Sequence, residues 1–220
     1  MPAIIALVSQ KGGVSKSTLS RALAVEAARA GLSVRIGDLD ASQRSTADWH
    51  ADREAAGLEP AVGTQVYRSA ASAIADADKV PDLDLLVLDG PARADVETLA
   101  IARAANLVVL PTGAGLDDLR PAVRVANGLV EKGVPISRLL FALSRIGTDA
   151  EADAARSYLE AAGYLVAAGY VPERVAYRAA RNGGLAITEV RYENLRRAAE
   201  GVIQSVIDAA MAAADGGEAV

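Results

Sequence analysis

No cysteine occurs among the 220 residues, so disulfides and cysteine-ligated metals are excluded and a reducing cytosol is the natural compartment. One histidine, His50, argues against a histidine-based triad or a His-rich metal site. Aromatic residues make up only 4% of the chain, so its core must be built from Ala, Val, Leu and Ile. No uncharged apolar run reaches the ~18 residues of a membrane span, so no transmembrane helix is expected. Met1-Pro2 leads straight into an apolar run without a basic stretch, so no secretory leader is expected either. A net charge of −5 argues against a surface coated for nucleic acid but permits a local basic patch. What the chain does have is 51% hydrophobic residues, enough for a real core.

Apolar runs alternate with helical periodicity along the whole chain. Strands are expected at residues 4–8, 33–39, 64–67, 83–88, 107–110, 139–143 and 165–170. Helices are expected at 17–30, 45–56, 70–77, 95–104, 116–132 and 151–162, and through most of the chain after Val175. Gly31, Gly57, Gly133 and Gly163 fall where helices should stop. This alternation predicts an α/β fold: a doubly wound, mostly parallel sheet with helices on both faces. Residues 1–211 read as one domain, with a small acidic tail at 212–220 expected to fray. Ligands of such sheets bind at the carboxyl ends of the strands, here near 10–17, 38–43, 89–91 and 111–115.

The stretch AIIALVSQKGGVSKSTLS, Ala3 to Ser20, is a strand, a glycine-containing turn and a helix start. That arrangement aims unpaired N–H groups and the positive end of a helix dipole at one point, which suits a phosphate. Gly12 and Gly13 allow close backbone approach. Lys16 supplies a point charge, and Ser17 a hydroxyl for Mg²⁺. The bland alternative is a Gly-Gly turn with two solvated lysines. Asp89 ends the apolar run LDLLVLD before Gly90-Pro91, the placement of a carboxylate that reaches a metal, although many such residues are helix caps. Asp38 and Asp40 sit two apart, and a shared cation would relieve their repulsion; a solvated or capping pair is the alternative.

The order K-G-G-x-x-K-S-T, with the early lysine Lys11, resembles the deviant phosphate loop of the ParA/MinD family of P-loop ATPases. Gln10 and Ser15 depart from the general G-x-x-x-x-G-K-[ST] pattern, and Ser15 also stands where the family loop has Gly. The resemblance implies ATP or ADP bound with Mg²⁺ by Lys11, Gly12, Gly13, Val14, Ser15, Lys16, Ser17 and Thr18. It implies that Lys11 reaches across an ATP-dependent sandwich homodimer to the partner's phosphates. Asp89-Gly90-Pro91 is similar to the family's D-x-P element. D-L-D-A-S-Q, from Asp38 to Gln43, stands for its D-x-D-P-Q, without the Pro and with one extra residue. By resemblance Lys11, Lys16 and Asp40 are catalytic, with Asp40 orienting the attacking water, while Ser17, Asp38 and Asp89 serve the metal. The base would be read near Ser144, where the family often has Asn, and near Val171-Pro172.

Six arginines fall between Arg174 and Arg197. Arg174, Arg178 and Arg181 share a helical face and, with Arg196 and Arg197, form the candidate footprint for nonspecific DNA. A solvated face paired with glutamates is the alternative for any one of them. The resemblance implies a small ParA-type partition ATPase, slow and partner-stimulated, cytoplasmic and nucleoid-associated when ATP-bound. Its partner would be a ParB-like centromere-binding adaptor. A ParA-like ATPase that positions a microcompartment or chemoreceptor cluster is the alternative, as are a MinD-like membrane ATPase and a non-hydrolysing nucleotide-binding scaffold. Residues 202–214 carry a single charge, Asp208, so no stable membrane association is expected. A loop this close to the start also leaves no room for a preceding DNA-binding domain.

Overall fold

The runs at 4–8, 107–110 and 139–143 hold no polar residue, and such runs are strands covered on both faces. The computed structural model describes residues 1–40, 43–91 and 96–215. Its strands are β1 (Ala3–Leu7), β2 (Val34–Asp38), β3 (Gly63–Val66), β4 (Leu85–Asp89), β5 (Leu107–Thr112), β6 (Leu139–Ile146), β7 (Leu165–Val166) and β8 (Val171–Pro172). Its helices are α1 (Lys16–Arg29), α2 (Ser45–Ala55), α3 (Ala70–Ala77), α4 (Val96–Ala104), α5 (Leu116–Glu131), α6 (Asp149–Ala161), α7 (Val175–Arg181) and α8 (Glu193–Asp215). Short 3-10 turns occupy Ile136–Arg138 and Ile187–Glu189. The strands run parallel in the order β3-β2-β4-β1-β5-β6-β7, and β8 pairs with β6.

Alternate residues of β1 enter opposite cores, as strand geometry requires. Ile4 and Ala6 pack with α3, α4, α5 and α6, whereas Ile5 and Leu7 pack with α1, α8 and Trp49 of α2. Because β1 lies between β4 and β5, the chain leaves its carboxyl end where the winding changes direction, and the phosphate loop follows at once. Behind that loop one buried carboxylate joins two helices. Glu189 accepts from Arg29 of α1 (2.9 Å), from Arg53 of α2 (2.7 and 3.1 Å) and from the Ala186 N–H (2.7 Å). The Arg53 guanidinium also lies 5.5 Å from the centre of the Trp49 ring.

The glycine stops are as expected: Gly31, Gly57, Gly133 and Gly163 all have positive φ. Several boundaries differ, β6 among them, which runs on past 143 to Ile146. The strand expected at 165–170 forms only at 165–166, because Gly169 turns the chain at φ 69°; an unexpected strand follows at 171–172, where the ladder on β6 shifts register between Ser144 and Ile146. β5 runs on through Pro111 to Thr112. Helix α6 begins at Asp149, set by the cap at Thr148. Helix α8 continues past residue 211 to Asp215. The remainder of the expected tail, 216–220, lies outside the described residues, as do Asp95 and the altered positions Ala41 and Ser42. No helix among the described residues is long and apolar enough to cross a membrane.

Candidate functional site

The turn after β1 leaves the α1 N-terminus open. Ser15, at the N-cap, has φ 78° and ψ 18°, makes no side-chain cap, and no acidic residue follows in the first turn. This is the left-handed region that glycine adopts freely and a Cβ penalises by roughly 1–2 kcal/mol. A hydroxyl–hydroxyl contact helps hold it: Ser144 Oγ donates to Ser15 Oγ at 2.8 Å. The position where the resembling family has Gly thus keeps a left-handed backbone with a Cβ on it. Gly12, Gly13, Ser15, Lys16, Ser17 and Thr18 line a cleft of about 750 Å³, while Val14 is buried. Lys16 is buried too, and its Nζ donates to Ser9 Oγ at 3.0 Å. Burial pushes its ammonium below the ordinary lysine range, against the pull of Asp89 and then Asp40.

Behind Lys16 lies a layer of carboxylates. Asp38 and Asp89 are paired across β2 and β4 and both are buried. Thr46, at the start of α2, donates its hydroxyl to Asp89 Oδ2 at 2.7 Å, and Arg21 Nε reaches that hydroxyl at 3.3 Å. Asp89 Oδ1 is buried with no hydrogen-bond partner among the described residues. Burial pushes the Asp89 carboxyl up, and hydrogen bonds from Thr46 and Ser17, with the charges of Arg21 and Lys16, oppose it. An orphaned carboxylate oxygen near a serine hydroxyl fits a hard cation or its bound water, so these residues suit a magnesium–nucleotide site. No group of three or more His, Cys, Asp or Glu that could hold a metal occurs among the described residues.

Asp38 behaves differently. Its Oδ1 accepts from the Asp40 N–H at 3.0 Å and its Oδ2 from the Thr46 N–H at 3.3 Å. It thus braces the turn and the start of α2; neither it nor Asp89 lines the cleft. Burial, then the Asp89 charge, push its carboxyl up. Asp40 does line the cleft. Gly90 has to be glycine: a Cβ there would stand 2.7 Å from the Leu7 carbonyl oxygen.

The far wall of the cleft carries Ser144, Val171 and Pro172, as the sequence places them, together with Arg174, Arg178 and Arg181. Those three arginines therefore face the cleft. Arg196 and Arg197 lie on α8, each within 4 Å of a glutamate one turn away, at 3.4 Å from Glu200 and 2.5 Å from Glu193. Arg174, Arg178 and Arg181 thus line the cleft, and Arg196 and Arg197 do not. Lys11 stands outside the cleft, its side chain 53% exposed and ion-paired with Asp118 at the start of α5.

Sequence reasoning missed four contributors. Ser9 and Thr46 hold the lysine and the aspartate. Arg21, one turn after Ser17, lies 5.6 Å from the centre of the Trp49 ring, and burial lowers its pKa to about 10. Arg145, at φ 61°, donates to the Gly13 carbonyl at 3.0 Å and to Glu173 at 2.8 Å, bridging the phosphate loop to the far wall. Arg21 alone left a local signal, since a residue one turn beyond Ser17 returns to the same helical face.

Comparison with known proteins agrees with this geometry. The profile of the CobQ/CobB/MinD/ParA nucleotide binding domain matches residues 5–187. The fold is similar to the septum site-determining protein MinD of Pyrococcus horikoshii complexed with Mg-ADP, at 19% identity over 94% of this chain and 96% of that one, TM-score 0.73. It is similar to a putative plasmid partition protein of Borrelia burgdorferi bound to AMPPNP, at 16% identity over 94% and 99%, TM-score 0.71. Apo McdA of Cyanothece is similar at 18% identity over 94% and 100%, TM-score 0.70. No curated sequence matches the chain.

Proposed function

Because the chain belongs to the CobQ/CobB/MinD/ParA nucleotide-binding family, we propose that it is an ATP-hydrolysing partition protein. ATP drives a sandwich homodimer, the dimer binds DNA without reading bases, and a centromere-binding adaptor stimulates hydrolysis to ADP and phosphate. The observation that carries the ATP reading is the α1 N-terminus, uncapped and free of acid, with Lys16 held beside it by Ser9. On binding, the phosphates take up the first-turn N–H groups, and Lys16 exchanges the Ser9 hydroxyl for phosphate oxygens. Asp40, on the cleft wall, orients the attacking water. Ser17 and Asp89 would hold Mg²⁺, which supplies neutralising charge at the β- and γ-phosphates.

Lys11 supports the dimer in a specific way. It points away from its own cleft, toward Asp118, and half its side chain is exposed for a partner's phosphates. Of the arginines, Arg174, Arg178 and Arg181 supply the phosphate contacts at the cleft rim, with Arg196 and Arg197 adding charge from α8. Lys11→Ala is the test. It should leave nucleotide affinity within about threefold, under ~0.7 kcal/mol, yet abolish ATP-dependent dimers in sedimentation velocity and ATP-dependent DNA retention. Normal dimerisation of Lys11→Ala, or equal DNA affinity in the apo, ADP and ATP forms, overturns the reading.

A further inference from the structure

A second groove, of about 610 Å³, runs along the other side of Lys11, between α4 and α5. Leu99, Val125 and Leu129 give it an apolar lining; Lys11, Arg124 and Lys132 bring positive charge to it, against one acid of the lining, Asp117, and the Asp118 that pairs with Lys11. Arg124 and Lys132 are exposed and make no ion pair among the described residues. The groove wall of α5 also holds two residues that a helix disfavours. Pro121, inside the helix, cannot donate to the Asp117 carbonyl, and Gly128 follows two turns later on the same face. Gly128 is not needed for packing, since a Cβ there would meet nothing within 4 Å. Two weak helix formers on one face, beside empty space, keep a channel open at a cost to the helix.

We propose that this groove docks an amphipathic helix of a partner protein, one whose apolar face is flanked by aspartate or glutamate. Two helices side by side offer ridges and a furrow into which a third packs. Arg124 lies on α5 and Lys132 at its C-cap, so the two charges are spaced along the furrow and suit carboxylates repeated along a helix. At the Lys11 end, an incoming carboxylate would compete with Asp118 for the ammonium and so couple docking to the lysine of the phosphate loop. The identification of that partner as the hydrolysis-stimulating adaptor rests on the function proposed above; the groove and its chemistry do not.

The test uses the full chain without nucleotide and a panel of fluorescent synthetic helical peptides of about fifteen residues, long enough for helix formation. Each carries Leu, Ile or Phe anchors at i, i+3, i+4 and i+7 with Glu beside them, and matched peptides carry Lys in place of Glu. Anisotropy should show micromolar binding of Glu peptides and at least about tenfold weaker binding of Lys peptides. Gly128→Trp, which fills the furrow, and the exposed double variant Arg124→Glu/Lys132→Glu should each weaken the Glu peptides at least about tenfold. Gly128→Ala should not. Both groove variants should keep wild-type affinity for a fluorescent ATP analogue, and should Gly128→Trp fail to fold, the surface double variant decides. No binding by any Glu peptide, equal binding of Lys peptides, or indifference to the groove variants overturns the proposal. So does self-association of the chain that the groove variants abolish, because the occupant is then a second copy. Loss of nucleotide binding by the wild-type chain would sink the ATPase reading and leave this result standing.

Discussion

Helices α1 and α6 both begin at the carboxyl end of a sheet strand, yet their first turns are built in opposite ways. At α6 the Thr148 side chain accepts from the Glu151 N–H at 3.3 Å, and Glu151 returns to the N–H groups of Gly147 at 3.0 Å and Thr148 at 3.2 Å. Asp149 and Glu151 add negative charge to the same turn. At α1 the corresponding cap, Ser15, turns away into left-handed backbone, and Thr18 stands where Glu151 stands in α6. One terminus satisfies its own N–H groups and dipole; the other leaves both to a ligand. A first turn stripped of its own anion is therefore a stronger sign of phosphate binding than a glycine-rich turn alone.

The largest break in that contrast comes from Lys16→Ala. It removes the cation beside the open turn and should weaken a fluorescent ATP analogue at least about 100-fold, close to 2.8 kcal/mol, in equilibrium titration. Thr18→Glu puts the α6 carboxylate onto α1. It should raise ligand-free helix stability by a few tenths of a kcal/mol through the dipole but weaken nucleotide about tenfold, as read by paired melting and titration curves. Smallest is the converse change, Thr148→Ala, which should cost about 1 kcal/mol of stability in urea unfolding and leave nucleotide affinity unchanged. Equal loss of nucleotide affinity in Thr148→Ala and Thr18→Glu would erase the distinction between the two termini.

The sequence carried much of the phosphate loop because local chemistry writes it: Gly12 and Gly13 for the backbone, Lys16, Ser17 and Thr18 at a helix start, Asp89 at the end of an apolar run. What it did not carry lies in contacts between distant positions. The hydroxyl pair of Ser15 and Ser144, and the reach of Arg145 to Gly13, join the loop to β6 and leave no periodic trace. Nor does Thr46, whose hydroxyl and N–H are shared between Asp89 and Asp38. Asp38 was legible as a strand-end carboxylate, but its bonding to backbone follows from where α2 begins. The strand expected at 165–170 forms only at 165–166, and the one at 171–172 was missed, because two-residue pairings are too short to show a pattern.

Glu189 makes the region behind the loop stiff. Its carboxylate grips Arg29 and Arg53 together, and Arg53 is almost wholly enclosed. Prising α2 from α1 would strand a charge away from water, a penalty of about 3–5 kcal/mol, comparable to what a nucleotide contact can deliver. The two helices are thus clamped at the Arg29 end of α1, a full helix length from the phosphate loop.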